Sequence, residues 1–180
     1  PPPLPPQQGE QIREDAAGCL RAVGLTNAVV HFEFRMTDAG PVVIEINPRV
    51  GGLYVNAALR DLAAINPHQL YMQLLLGEPG LNAQLEAGAH KVANGDQHYA
   101  MLAVYPEHSG HFKGIEGLQF LEHHASVLEY AQQDAGYYID ADIEEHYLLK
   151  CWAKVDDAAD AHALHDAIRQ NLHVIIENKV

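Results

Sequence analysis

The chain has 180 residues, 48% of them hydrophobic, which is enough to build the core of one large or two small domains. Its formal net charge of −13 at pH 7 argues against nucleic acid or an anionic membrane surface as a partner. No run approaches the roughly 18 apolar residues of a membrane span, no signal peptide is visible, and Cys19 and Cys151 are too few for a disulfide framework, so we expect a cytoplasmic protein with reduced thiols.

The first predicted elements are an extended segment and a helix. Residues 1–6 (PPPLPP) are typical of a polyproline-like entry that does not start a helix. Gly24 stands where the C-terminal glycine of a helix belongs. Before it, apolar residues recur at helical spacing: Ile12, Ala16, Cys19, Leu20 and Val23.

Residues 29–52 contain two short runs that alternate apolar and polar residues on either side of a tight turn. Such alternation is typical of strands with one buried face. A three-residue hairpin loop over residues 38–40, with Gly40 in the left-handed conformation, pairs position 37 with 41, 33 with 45 and 31 with 47. This register predicts one apolar face, made of Val30, Phe32, Phe34, Met36, Val42, Ile44, Ile46 and Pro48. The other face then carries His31, Glu33, Arg35, Glu45, Asn47 and Arg49.

The polar face brings Glu33 and Glu45 opposite each other, where cross-strand Cβ atoms lie only about 5 Å apart. The two carboxylates repel unless a cation lies between them. A hard divalent cation such as Mg²⁺ takes oxygen ligands, which makes Asn47 a natural addition on the same face. After the second strand, residues 48–52 (PRVGG) combine glycines, which let backbone amides approach a ligand, with the Arg49 guanidinium, which suits a phosphate or carboxylate. A polar strand face that is simply solvated is the alternative interpretation.

The run HFEF followed by VIEINPRVGG resembles the C-terminal half of the ATP-grasp superfamily. In that superfamily the metal-binding acids lie on two adjacent strands and end in an E-x-N-x-R signature. Carried over by position, the resemblance implies that Glu33, Glu45 and Asn47 are ligands of Mg²⁺, or Mn²⁺, bridging the phosphates of ATP. Glu33 and Glu45 are thereby also the expected residues of the ATP cofactor site.

The resemblance also implies roles for the residues that follow the second strand. Arg49 resembles the arginine that faces the acyl phosphate and the substrate carboxylate, so it is expected to act in both catalysis and substrate binding. Gly51 and Gly52 match the loop that follows and are expected to contact substrate. In the implied mechanism ATP transfers its γ-phosphoryl group to a carboxylate, and an amine then displaces phosphate from the acyl phosphate.

Two more helices are predicted before the first domain ends. Residues 54–64 predict a short helix, and Asn66-Pro67 opens another over about residues 68–76, which stops at Gly77. The run LYMQLLLGEP resembles the segment that closes the grasp core in carboxylate-amine ligases, and its apolar residues are expected to be packing residues. Residues 1–87 therefore predict the metal and phosphate side of an ATP-grasp core, an antiparallel sheet with helices.

After a predicted loop around residues 86–95 the pattern becomes that of an antiparallel sheet. The predicted strands are 97–105, 115–121, 125–131, 136–140 and 145–155. Asp156 then caps a helix, and HVIIEN forms a last strand. The helix is expected to bury one stripe, made of Ala159, His162, Ala163, Ala167 and Ile168. Residues 88–180 thus predict a small β-rich α+β domain, similar to the C-terminal domain of biotin carboxylase-like and L-amino-acid ligase-like ATP-grasp enzymes.

The resemblance as a whole implies an ADP-forming ligase that joins a small-molecule carboxylate to an amine, an L-amino-acid (dipeptide) ligase being the leading form. The alternatives are a biotin carboxylase-like or phosphoribosylglycinamide synthetase-like enzyme and a non-catalytic ATP-grasp-derived module. The chain opens with Pro1 instead of methionine and matches neither the N-terminal domain nor the ATP lid of such enzymes. We therefore expect a fragment that is inactive alone. The substrates and the oligomeric state, a homo-oligomer included, stay open.

Overall fold

The structure is a computed structural model that describes residues 6–143 and 145–177. The chain divides into two compact units, of which the first ends at Asn94 and the second begins at Gly95. Both contain helices and antiparallel strands, which confirms the predicted α+β class. The predicted division after residue 87 falls inside a helix of the first unit. Within the described ranges, no helix is long and apolar enough to cross a membrane.

The first unit consists, in its described part, of one hairpin among helices. Helix α1 begins at Pro6, the last residue of the predicted extended segment, because proline is tolerated in a first helical turn, where its missing N–H has no helical partner. The rest of that segment, residues 1–5, lies outside the described residues. The elements are α1 (Pro6–Ala22), β1 (His31–Thr37), β2 (Gly40–Asn47), α2 (Val55–Ala63), α3 (Pro67–Leu76) and α4 (Leu81–Asn94).

The residues that end α1 and that begin and end α3 are the predicted ones. Gly24 adopts a φ of +77° just after α1, and the Leu25 amide donates to the Leu20 carbonyl at 2.9 Å, which closes the helix. At the start of α3 the Asn66 side chain accepts hydrogen bonds from two backbone amides of the first turn, at 3.1 and 3.2 Å. Gly77 ends α3 in the left-handed conformation, with a φ of +69°. These predictions are confirmed.

Helix α4 occupies residues where a loop was predicted, so that prediction was wrong. Its buried Gly88 lies close to the C-terminal end of α2: an added Cβ would stand 2.5 Å from Ile65 Cδ1 and 3.0 Å from the Ala63 carbonyl oxygen. A glycine lowers helix propensity, which favours a loop when the sequence is considered alone. Here the missing side chain lets α4 pack closely on the rest of the unit.

The apolar residues of the first unit are only partly buried. Among its described residues the buried ones are Tyr54, Ala57, Ala63, Ile65, Pro67 and Gly88. Met72, Leu75 and Leu76 of α3 are exposed, so the expectation that this run consists of packing residues is wrong for these three. Helix α3 makes few contacts with α2 and α4, so the surface formed by these three side chains is left uncovered within the described residues.

The second unit contains two three-stranded antiparallel sheets, with strand orders β3-β7-β5 and β6-β4-β8. The predicted strand at 115–121 is wrong in both bounds: the strand begins at Gly110, and Gly117, at a φ of +89°, ends it before a short helix. The elements are β3 (His98–Val104), β4 (Gly110–Glu116), α5 (Gln119–His123), β5 (Val127–Gln132), β6 (Tyr138–Ile139), β7 (Leu149–Val155), α6 (Ala158–Asn171) and β8 (His173–Glu177).

Helix α6 differs from its prediction in both its cap and its buried face. The cap is Asp157, whose carboxylate accepts a 2.8 Å hydrogen bond from the Asp160 amide, and not Asp156. Of the predicted stripe only Ile168 is fully buried, beside Leu164. The stripe was wrong because small alanines spread around the helix carry little orientational signal, whereas the two large apolar residues face the core.

The core of the second unit lies around the central strand β7. The fully buried side chains are Phe112, Leu121, Leu148, Leu149, Cys151 and Ile168. Burial raises the pKa of the Cys151 thiol to about 11. Both cysteines are free thiols, and Cys19 is half-buried.

Candidate metal centre

The acidic residues of the hairpin pair as predicted, but the turn and the second strand differ from the prediction. Strands β1 and β2 pair with His31 opposite Asn47 and Glu33 opposite Glu45, which confirms that part of the register. The turn itself is one residue tighter than predicted, since Thr37 pairs with Gly40. A β-bulge at Ile44 absorbs the difference, because the register shifts between Glu33 and Phe34.

The bulge also changes the two faces of the hairpin. Beyond it Val42 pairs with Arg35, so Val42 lies on the polar side and the prediction of one wholly apolar face is wrong there. The apolar side is also less buried than predicted: Val43 and Ile44 are exposed. Among the described residues the hairpin pairs with no third strand.

Three side chains converge at the end of the hairpin where the strands keep the predicted register. They are His31, Glu33 and Glu45. The His31 Nε2 atom lies 2.7 Å from Glu33 Oε1. One ligand atom from each of the three residues lies within 4.8 Å of the others, which is close enough for all three to bind one cation. His31 is the residue that the sequence analysis placed on this face without assigning it chemistry. Its signal was the alternation itself, together with the frequency of histidine as a metal ligand.

Asn47 and Arg49 lie on the side of Glu45 that leads out of the strand. The Asn47 Nδ2 atom donates a 2.6 Å hydrogen bond to Glu45 Oε1, so the amide is in direct contact with the acidic pair. Arg49 follows the strand and donates from Nη1 to the Val50 carbonyl at 3.0 Å. Its guanidinium is exposed, and this hydrogen bond ties it to the loop instead of the carboxylates.

The glycine loop after β2 is held by both packing and a hydrogen bond. Gly51 has its carbonyl bonded by the Asn56 side-chain amide at 3.0 Å, which ties the loop to α2. A Cβ added to Gly51 would meet Val55 Cγ1 at 2.8 Å, so this position has no room for a side chain. Gly52 is exposed and open, with no described atom within 4 Å of an added Cβ.

A separate cavity of about 550 Å³ lies in the second unit, between β3, α6 and β8. Its lining includes His108, His165 and Arg169, but none of the residues predicted for the site. Arg169 is paired with Glu107 at 3.5 Å, and His165 bonds the Ala103 carbonyl at 3.1 Å. None of the residues predicted to bind metal, ATP or substrate therefore lines this cavity. They belong to the hairpin and to the loop that follows it.

Comparison with known proteins places this geometry in a known fold. No family model matches the chain. The L-amino acid ligase from Bacillus licheniformis matches 99% of the chain with a TM-score of 0.74 at 21% identity. The phosphoribosylglycinamide synthetase from Anaerococcus prevotii matches 98% with a TM-score of 0.73 at 16% identity. The chain shares its fold with these two enzymes, as the resemblance of the hairpin motif to the ATP-grasp superfamily predicted.

Curated relatives match shorter stretches at higher identity. Carnosine synthase 1 from Gallus gallus is 32% identical over 123 residues, or 64% of this chain. Carnosine synthase 1 from Homo sapiens is 33% identical over 90 residues, or 49% of the chain. The matches span only 12% and 11% of these relatives, and 43% and 44% of the two solved structures.

Proposed function

We propose that this chain is the metal- and phosphate-binding part of an ATP-dependent ligase that joins a carboxylate to an amine through an acyl phosphate. The observation that carries the proposal is the pairing of Glu33 with Glu45 across the hairpin, with His31 and Asn47 in contact with them. Like charges directly opposite each other destabilise a strand pair. A divalent cation bound between the two carboxylates would offset that repulsion, which accounts for two glutamates at paired positions.

The donor set fits Mg²⁺ or Mn²⁺. Glu33 and Glu45 offer carboxylate oxygens and Asn47 offers an amide oxygen, which are the ligand types that these hard cations take. When bound, the ion supplies positive charge that neutralises the β- and γ-phosphate oxygens of ATP. The two glutamates hold that charge on paired strands, and strands position a ligand more accurately than a loop does.

Arg49 is proposed to bind the group that receives the phosphoryl. A guanidinium has five N–H donors, and the hydrogen bond to the Val50 carbonyl uses one. The remaining donors suit the substrate carboxylate and then the more highly charged acyl phosphate. Because charge grows at those oxygens during transfer, a fixed cation there stabilises the transition state more than the bound substrate.

Gly51 and Gly52 are proposed to line the substrate side of the same loop. The two have different reasons to be glycine: Gly51 is crowded by Val55, whereas the space around Gly52 is open. An open glycine lets a ligand approach the backbone amides closely. We therefore assign substrate contact mainly to Gly52 and a packing role to Gly51.

An amino acid is the substrate class that the comparisons favour. The L-amino acid ligase is named for such substrates, and the carnosine synthases share 32% and 33% identity with parts of this chain. The phosphoribosylglycinamide synthetase has nearly the same TM-score, 0.73 against 0.74, so it supports the alternative of a different carboxylate and amine pair.

The test is ADP release by the full-length protein that contains this chain, with Mg²⁺ and pairs of L-amino acids, followed by bicarbonate. Release should require two amino acids and should fall at least about 100-fold in Glu45→Gln, the scale of losing one electrostatic contact to a transition state. Glu86→Gln is the matched control, because Glu86 is an exposed glutamate of α4 and not a residue of the hairpin. Release with bicarbonate alone would support the carboxylase-like alternative. No release with any acceptor would contradict the ligase proposal and favour a non-catalytic module.

A further inference from the structure

The imidazole of His31 is part of the same cluster as the two glutamates, although a hard-cation site of oxygen ligands has no need of it. Its Nε2 atom lies 2.7 Å from Glu33 Oε1, and the side chain of His31 is 20% exposed against 45% for Glu33. The imidazole is therefore the more enclosed partner. It is also placed directly opposite Asn47 in the strand pairing.

The spacing of the donor atoms fits ligands of one ion. With metal–ligand bonds of about 2.1 Å, two ligands at a right angle lie about 3 Å apart and two opposite ligands about 4.2 Å apart. The His31 to Glu33 distance of 2.7 Å is near the first value. The limit of 4.8 Å that encloses all three donors is only slightly beyond the second, so small side-chain rotations close the set on an ion.

The ring of His31 lies between the glycine loop and Glu33. The other ring nitrogen, Nδ1, is on the side of Gly51, where an added Cβ would stand 3.5 Å from it, an ordinary contact distance. The 2.7 Å contact of Nε2 with Glu33 Oε1 and the partial burial of the side chain hold the ring in this orientation. A ligand held in place before the metal arrives loses less conformational freedom on binding.

We propose that His31 supplies a nitrogen ligand to the divalent ion held by Glu33 and Glu45, and that this ligand makes the site prefer Mn²⁺ to Mg²⁺. This rests on the proposed function, because it assumes that the two glutamates bind a metal ion. Magnesium takes oxygen ligands in near-ideal octahedral geometry, whereas imidazole nitrogen suits first-row transition ions. His31 is thus the residue that determines metal specificity.

The first test compares metal affinities of the full-length protein and its His31→Gln variant. Glutamine can place an amide where Nε2 stands and can still bond Glu33, but it offers no imidazole nitrogen. Mn²⁺ binding is followed by electron paramagnetic resonance, and Mg²⁺ affinity by competition against Mn²⁺. The affinity for Mn²⁺ should fall about 10-fold or more, the scale of losing a supporting group at a metal site, while that for Mg²⁺ changes less than about 3-fold. His90→Gln, an exposed exchange on α4, should change neither.

The second test needs no variant and therefore does not depend on correct folding of one. Pulsed electron paramagnetic resonance of Mn²⁺ bound to protein labelled with ¹⁵N-histidine should show coupling to a histidine nitrogen. Mn²⁺ that binds without such coupling would overturn the proposal. An equal loss of Mg²⁺ and Mn²⁺ affinity in His31→Gln would also overturn it, because that result would mean that His31 only orients Glu33. If Glu45→Gln still abolishes Mn²⁺ binding in that case, the proposed function stands and only the role of His31 fails. No binding of Mn²⁺ by the unaltered protein would overturn the role of His31, and no binding of either Mn²⁺ or Mg²⁺ would overturn the proposed function as well.

Discussion

Gly51 lies against Val55, the first residue of α2, so closely that a methyl group added to Gly51 would come within 2.8 Å of Val55 Cγ1. The same methyl group would also approach His31 Nδ1 to 3.5 Å. The loop after β2 therefore depends on glycine to bring α2 next to the strand pair that carries the acidic residues. Gly52, the next residue, has no such neighbour among the described atoms.

The two glycines should respond differently to alanine. Gly51→Ala should lower the free energy of unfolding by about 1–3 kcal/mol, because the overlap with Val55 forces the helix or the loop to move. Gly52→Ala should change it by less than about 0.5 kcal/mol and instead reduce ADP release, since its open space is proposed for the substrate. Urea denaturation and the ADP assay on both variants check this. A Gly51→Ala protein with unchanged stability would refute the packing role.

In the hairpin, the sequence was a better guide to which acidic residues face each other than to the path of the backbone. Pairing of Glu33 with Glu45 was predicted from a three-residue turn, yet the turn is tighter and the bulge at Ile44 restores the register. Alternation cannot reveal that bulge, because Val42, Val43 and Ile44 are all apolar and fit either face. The spacing of the polar residues was enough to predict that Glu33 faces Glu45. The path of the backbone between the two glutamates could be seen only in the structure.

Helix ends were predictable where a single side chain decides them and failed where several compete. Gly24, Asn66 and Gly77 act through local backbone bonds and were predicted correctly. Asp156 and Asp157 are adjacent and equally suited to cap a helix, and only the hydrogen bond from the Asp160 amide distinguishes them. Helix α4 was missed because the reason for its glycine lies in another part of the first unit.

The glycines inside α1 and α4 offer a second comparison. Gly18→Ala in α1 should stabilise the protein by about 0.5–1 kcal/mol, because an added Cβ meets nothing closer than Arg21 Nη2 at 4.0 Å and alanine favours helix. Gly88→Ala in α4 should destabilise it, since the Ala63 carbonyl and Ile65 both stand within 3.0 Å of the new atom. Denaturation midpoints of the two variants give the signs. Stabilisation by Gly88→Ala would show that α4 does not pack as described.

The cap of α6 can be assigned by paired substitutions. Asp157→Ala should cost about 1 kcal/mol of stability, because it removes the acceptor of the Asp160 amide at 2.8 Å. Asp156→Ala should cost much less, since the Asp156 amide, which donates to the Asp160 carboxylate at 3.0 Å, is kept in the variant. Thermal unfolding of both variants measures the difference. An equal loss from the two would mean that charge near the helix start matters more than the cap itself.

The stability of the second unit should fall at high pH because of Cys151. Burial raises the pKa of its thiol from 9.0 to about 11, so between these values the folded chain keeps a proton that the unfolded chain loses. The stabilisation is complete below pH 9 and is lost as the pH rises through 11, at up to about 1.4 kcal/mol per pH unit.

Tyr130 lies opposite Cys151 in the pairing of β5 with β7, and it also titrates in alkaline solution. Burial, followed by the hydrogen bond and charge of Glu122, raises its pKa, so it adds to the same loss of stability. Cys151→Ala separates the two, because it removes only the thiol. Urea denaturation from pH 8 to 11 should show a shallower decline in this variant than in the unaltered protein. A decline that is equally steep in Cys151→Ala would mean that the thiol ionises over the same pH range in the folded and unfolded chains, so that burial does not raise its pKa.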